Sequence, residues 1–154
     1  MTITITKLSP AKLNLFLEVK NKRNDGYHDI QSLMTFCDFG DMICVSRSND
    51  FRIKLDGPFS SSLINKENLI HRTLKKLEDL FERNFNVEVV LKKNLPIASG
   101  MAGGSSNAAT FITCVKEIFK LEEVAGFNEL LLFCLASAFF LAASAGDGMH
   151  NHDG

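Results

Sequence analysis

The chain has 154 residues, 45% apolar and 23% charged, enough for one ordinary domain that buries a core without disulfides or a structural metal. That balance excludes a disordered or fibrous protein, and a net charge of −1 gives no electrostatic reason to expect a nucleic acid or an anionic membrane as partner. All 17 Lys and Arg fall within residues 1–120, together with 13 of the 18 Asp and Glu, so this part is mildly basic and suited to a phosphate-bearing ligand.

Residues 2–6 alternate Thr and Ile, and residues 11–19 alternate again, with Leu13, Leu15, Leu17 and Val19 on one face. Both stretches predict half-buried strands. The polar run 20–28 holds an Asp-Gly step, which predicts a turn or long hairpin loop with Tyr27 and His28 near its exit. Residues 29–38, 41–47 and 51–56 are three short β-compatible runs, separated by Phe39-Gly40 and by Ser48-Asn49-Asp50.

Residues 66–83 place Leu69, Ile70, Leu74, Leu77, Leu80 and Phe81 at the three- and four-residue spacing of an amphipathic helix. Residues 85–91 return to a strand, and a Gly-rich segment then runs into a helix whose first turn carries Ser105, Ser106 and Asn107. Strands and helices without regular alternation predict an α+β domain with a largely antiparallel or mixed sheet.

Cys37, Cys44, Cys114 and Cys134 form no CxxC pair and sit in apolar surroundings, so reduced, buried thiols are expected. The N-terminus alternates where a signal peptide would carry a basic start and a continuous apolar stretch, so a cytoplasmic location is expected. Residues 130–145 hold no charge, but the run is shorter than the roughly 20 residues that cross a membrane. A core helix is expected there, and self-association through it if nothing covers it.

The segment most suited to chemistry is PIASGMAGGSSNAA, residues 96–109. Gly100, Gly103 and Gly104 let backbone approach a ligand closely, and the unpaired amides of the following helix favour an anion, above all nucleotide phosphate. The alternative is a flexible loop with a capped helix. No Lys follows the second Gly as a Walker loop requires, and GxGxxG is not matched either.

This string is similar to the PxxxGLxGGSSNAA phosphate-binding motif of the GHMP kinases, in the form characteristic of the diphosphocytidyl-methylerythritol kinases. It departs from that pattern at Ala98-Ser99, Met101 and Ala102. PAKLNLFLEV (10–19) resembles the first motif of the same family, and NDGYHDIQSL (24–33) its substrate motif.

The resemblance implies a two-layer GHMP N-terminal domain over 1–120, like ribosomal protein S5 domain 2. It also implies ATP-dependent phosphorylation of 4-diphosphocytidyl-2-C-methyl-D-erythritol in non-mevalonate isoprenoid biosynthesis, with Mg²⁺ entering on ATP and no metal site of the protein's own. Lys12 would hold the reacting hydroxyl and the phosphate charge, as phosphoryl transfer requires. Taken alone, Lys12 reads as a solvated strand lysine, the commoner fate of a lone Lys.

By the same resemblance Asn14 contacts substrate, Tyr27 and His28 receive the cytosine ring, and Asn68 contacts adenine. ATP would lie along Pro96, Ile97, Ala98, Ser99, Gly100, Met101, Ala102, Gly103, Gly104, Ser105 and Ser106, within reach of Lys93. Ser105 or Ser106 would orient Mg²⁺. Asn68 also reads as a helix cap and Lys93 as a solvated loop charge.

Beyond Lys120 the match stops. Where the family carries G-A-D-[VI]-P-F, whose Asp is the general base, this chain reads LLLFCLASAFFLAASAGDGMHNHDG, and neither Asp147 nor Asp153 fits that place. Residues 121–154 are expected to be a divergent apolar helix and frayed tail with the C-terminal GHMP domain absent. Binding is expected to outlast catalysis, the alternative being a non-catalytic nucleotide-binding or interaction module.

Overall fold

The computed structural model describes residues 3–25, 28–63, 68–96, 101, 103–122, 126–130 and 134. Strand β1 spans Thr4–Lys22, β2 His28–Arg47 and β3 Arg52–Asp56; α1 follows at Leu69–Phe81, then β4 at Val87–Lys92 and α2 at Gly103–Phe119. The sheet order is β1-β2-β4-β3, with β1/β2 and β2/β4 antiparallel and β3/β4 parallel. This is the mixed α+β arrangement expected from the order of elements.

Alternation decides which face of the sheet is buried. Ile43 and Val45 of β2 and Val87, Val89 and Leu91 of β4 all turn to one side, where they meet Ile70, Leu74 and Leu77 of α1 and Phe111, Ile112, Val115 and Ile118 of α2. Sheet below and helices above make the two layers, and each fully buried aliphatic or Phe side chain contributes about 1.5–3 kcal/mol of transfer free energy. Phe85, ahead of β4, lies edge-on to Phe81 and Phe119 and closes the end of this core.

Helix α1 starts where Asn68 accepts from the Ile70 N–H at 3.0 Å, and it ends on Glu82, whose left-handed backbone (φ 50°) lets its N–H reach back to Glu78 O. Phe127, Leu130 and Cys134 extend the core past α2, with Thr73 Oγ1 and Cys134 Sγ 3.8 Å apart. The rest of the apolar run 130–145 lies outside the described residues, and with it the expected self-association. Among the described residues no helix is long and apolar enough to cross a membrane.

The four cysteines are free thiols; Cys114 and Cys134 are buried, Cys37 and Cys44 partly so. Burial pushes the Cys114 thiol up to about 11.

Three sequence expectations are corrected. The two N-terminal strand runs are one continuous β1, and Phe39-Gly40 does not separate two strands but lies inside β2. Gly40 pairs with Pro10, and a Cβ there would sit 2.0 Å from Ser9 O, so only glycine lets the strands approach this closely. Finally, the Leu13, Leu15, Leu17 and Val19 face is exposed (37–64%), because the helices cover β1 only as far as Lys12 and the ribbon beyond stands clear of the core.

Candidate functional site

The site forms where β1 leaves the helical layer and α2 begins. Lys12 donates its backbone N–H to Met101 O at 3.0 Å, which ties β1 to the Gly-rich segment. One turn into α2, Ser106 Oγ donates to Pro10 O at 2.7 Å and accepts from Ser9 Oγ at 3.0 Å. These bonds hold the N-terminus of a 17-residue helix against the strand that carries Lys12.

Lys12 is not the solvated strand lysine its sequence position allows: the residue is 5% exposed, and desolvation lowers its ammonium pKa below the ordinary lysine value. A cation held in that state gains from an incoming anion, since the anion offsets the desolvation. Asn14, next but one on the strand, has a buried Oδ1 with no hydrogen-bond partner among the described residues. Buried amide oxygens are rarely left without a partner, and a ligand hydroxyl or amine at this place would satisfy it.

Gly103 and Gly104 open α2. A Cβ at Gly104 would meet nothing within 4 Å, whereas one at Gly103 would lie 3.2 Å from Lys93 Nζ. The first amides of the helix, with no partner of their own in the helix ladder, therefore border open space suited to an anion. Ser105 is buried in the same turn, and Pro96, the first residue of the segment, is the last one described before Met101. Ile97, Ala98, Ser99, Gly100 and Ala102 lie outside the described residues, as does Tyr27.

Lys93 is not a solvated loop charge either. Its Nζ donates to Asp41 Oδ2 at 2.7 Å with both side chains buried, directly beneath Gly103. Asn68 has its side-chain oxygen committed to the cap of α1, which leaves its amide nitrogen for any contact with a base.

His28 opens β2 opposite Lys22, ten residues along β1 from Lys12, so about 30 Å of strand separates the two. The structure thus brings Lys12, Asn14, Met101, Gly103, Ser105 and Ser106 to one place and sets His28 at the far end of the ribbon.

Asp41 has no place in the sequence reading, although it is the most heavily bonded side chain beneath the site. Its only signal was position: it follows Phe39-Gly40, read as a break between strands. No group of three or more His, Cys, Asp or Glu among the described residues could hold a metal ion.

The family model for the GHMP kinases N terminal domain matches residues 68–147. The chain is 43% identical over 117 residues to 4-diphosphocytidyl-2-C-methyl-D-erythritol kinase of Wigglesworthia glossinidia brevipalpis, covering 73% of this chain and 38% of that one. It is 42% identical over 113 residues to the enzyme of the same name from Pasteurella multocida (strain Pm70), again covering 73% and 38%. The chain therefore spans under two fifths of the length of these relatives.

Among solved structures, a 4-(cytidine 5'-diphospho)-2C-methyl-D-erythritol kinase superposes with a TM-score of 0.68 at 27% identity, covering 90% of this chain and 49% of that one. A homoserine kinase from Cytophaga hutchinsonii (TM-score 0.58, 12% identity, covering 88% and 42%) shares the fold alone. With the Gly-rich segment stitched to the Lys12 strand, and a family model matching just over half its length, the chain belongs to the GHMP kinases and carries their N-terminal domain.

Proposed function

We propose that this chain is the ATP-binding part of a kinase that phosphorylates an alcohol of 4-diphosphocytidyl-2-C-methyl-D-erythritol, a step toward isoprenoid precursors. The observation that carries this reading is the Lys12–Met101 backbone bond, which sets a buried lysine beside the segment suited to nucleotide phosphates. Names borne by the relatives at about 40% identity supply the substrate class.

In this reading the α2 amides and the Gly-rich segment take the phosphates of ATP, and Lys12 carries the charge of the transferred group and holds the attacking hydroxyl. Asn14 Oδ1 accepts from that substrate. Ser105, whose neighbour Ser106 is turned to β1, is the residue for Mg²⁺ brought in on ATP. The resemblance gives the cytosine to Tyr27 and His28, but the strand of about 30 Å between Lys12 and His28 is longer than one diphosphocytidyl substrate, so this contact requires the ribbon to bend back over the site. Asn68 and Pro96 border the adenosine. Lys93 serves the phosphates indirectly, from under Gly103.

Residues 1–120 carry the ATP-binding elements, and the core of this domain continues through Phe127, Leu130 and Cys134. No Asp in 121–154 fits the place of the family's general base, so the residues present account for nucleotide binding and not for removal of the hydroxyl proton.

The test is ADP release by the purified chain with Mg-ATP and the diphosphocytidyl substrate, beside a nucleotide titration and a Lys12→Ala control. Binding that tightens with phosphate number and weakens in the control is the expected result. No binding of any nucleoside phosphate overturns the reading. Competition by cytidine nucleotides separates this substrate from those of other GHMP kinases.

A further inference from the structure

Asp41 lies within β2, fully buried. Its Oδ1 accepts the backbone N–H groups of Asn94 (2.7 Å) and Leu95 (2.8 Å), and its Oδ2 accepts from Lys93 Nζ (2.7 Å) and Asn107 Nδ2 (2.9 Å). Four N–H donors satisfy one carboxylate. They come from two sides: residues 93–95 immediately precede the Gly-rich segment, and Asn107 stands in the first turns of α2 just after it. Asn94 adds a bond from its own side chain to Gly40 O at 3.0 Å.

We infer that Asp41 is the positioning residue of the phosphate segment: a single side chain that pins both ends of the loop and so sets the direction of the amides at the start of α2. The inference deepens the nucleotide-binding reading and rests on it for its consequence, though not for its geometry. Two physical points support it. A buried carboxylate 3.5 Å from where a Gly103 Cβ would stand sits close under an anion site and would repel phosphate if unpaired; Lys93 cancels that charge. A core that needed only filling would be served by an apolar residue, whereas a buried carboxylate that accepts four N–H donors fixes one geometry among alternatives.

Asp41→Asn leaves Oδ1 able to accept from Asn94 and Leu95 but sets an NH₂ against the Asn107 amide and the Lys93 ammonium. The loop end on α2 is thereby released while the β4 end stays tied. In the 154-residue chain this variant should raise amide hydrogen exchange across 94–107 without raising it in α1, and weaken MgADP binding at least tenfold. The exchanged pair, Asp41→Asn with Asn107→Asp, restores a carboxylate beside Lys93 and a donor facing it, and should recover most of both losses.

Should Asp41→Asn fail to fold, Asn107→Ala cuts only the α2 strap and should still speed exchange at 103–106 and weaken MgADP at least fivefold. Unchanged exchange in 94–107 in a folded variant overturns the inference, as does a Kd within twofold of the parent in a chain that binds MgADP. If the parent binds no nucleotide, the functional reading fails by itself and the exchange pattern alone decides the role of Asp41.

Discussion

The backbone N–H of Lys12 donates to Met101 O at 3.0 Å, joining two segments 89 positions apart. The bond continues the edge of β1 onto the Gly-rich segment, so a strand lysine and the start of a helix share one backbone frame. Position, more than added strength, is what such a frame gives to phosphoryl transfer, where charge must be met at a fixed place.

Replacing Lys12 by Ala should weaken MgADP about 10- to 100-fold, the loss of one charge-assisted contact. In any form of the protein that turns over, kcat should fall by about 10²–10³. Calorimetric titration of both proteins, with circular dichroism to establish folding, checks this. Equal affinity would place the phosphates elsewhere.

Burial lowers the Lys12 pKa below 10.5 in the folded chain, so the folded state binds fewer protons than the unfolded one across that window. Stability from this group therefore rises with pH through the folded value and levels off near 10.5. Lys12→Met should be more stable than the parent at neutral pH, and the gain should shrink on the alkaline side. Nucleotide phosphate reverses the shift. Binding should take up protons at alkaline pH and weaken as pH rises further, which titration in buffers of different ionisation enthalpy will measure.

The pattern of elements was legible because the apolar periods are strong: α1 and β4 fall within three residues of their expected limits. What periodicity could not show was where the helical layer stops. The same alternation that buries Ile43 and Val45 leaves Leu15 and Leu33 more than half exposed, since burial depends on a second layer and not on the strand. Lys12 was nameable through the family resemblance and Lys93 through its place just upstream of the Gly-rich segment, but their burial was not. Asp41 was invisible because its four donors are 52 to 66 positions away.

Gly40→Ala should be among the most damaging single methyl additions, because the new Cβ meets backbone at Ser9 and Pro10 that cannot rotate away. The strands must part, at a cost of about 2–4 kcal/mol. Chemical denaturation should show a lower midpoint at an unchanged slope. A near-neutral result would mean that the β1/β2 pairing slides at this irregular point.

At Asn68, capping and base contact can be separated by substitution. Asn68→Ala removes the acceptor for Ile70 N–H and should cost about 1 kcal/mol of stability. Asn68→Asp keeps an equally good cap but loses the amide donor. If that donor meets adenine, Asn68→Asp should hold its melting temperature while losing affinity for ATP relative to an inorganic triphosphate. Parallel loss of both would leave Asn68 a cap alone.

Ser105 and Ser106 are neighbours with opposite duties. Ser106→Ala strands the Pro10 carbonyl and the Ser9 hydroxyl in a buried place and should cost about 1–3 kcal/mol of stability. Any effect on nucleotide should follow from that loosening and be shared by ATP and its metal-free form. Ser105→Ala leaves the β1 contact intact, so its effect should fall on the magnesium dependence of binding, with the metal-free affinity held. Titrations with and without Mg²⁺ on the two variants read this directly, and a reversed pattern would move the metal-orienting role to Ser106 and require its hydroxyl to leave Pro10.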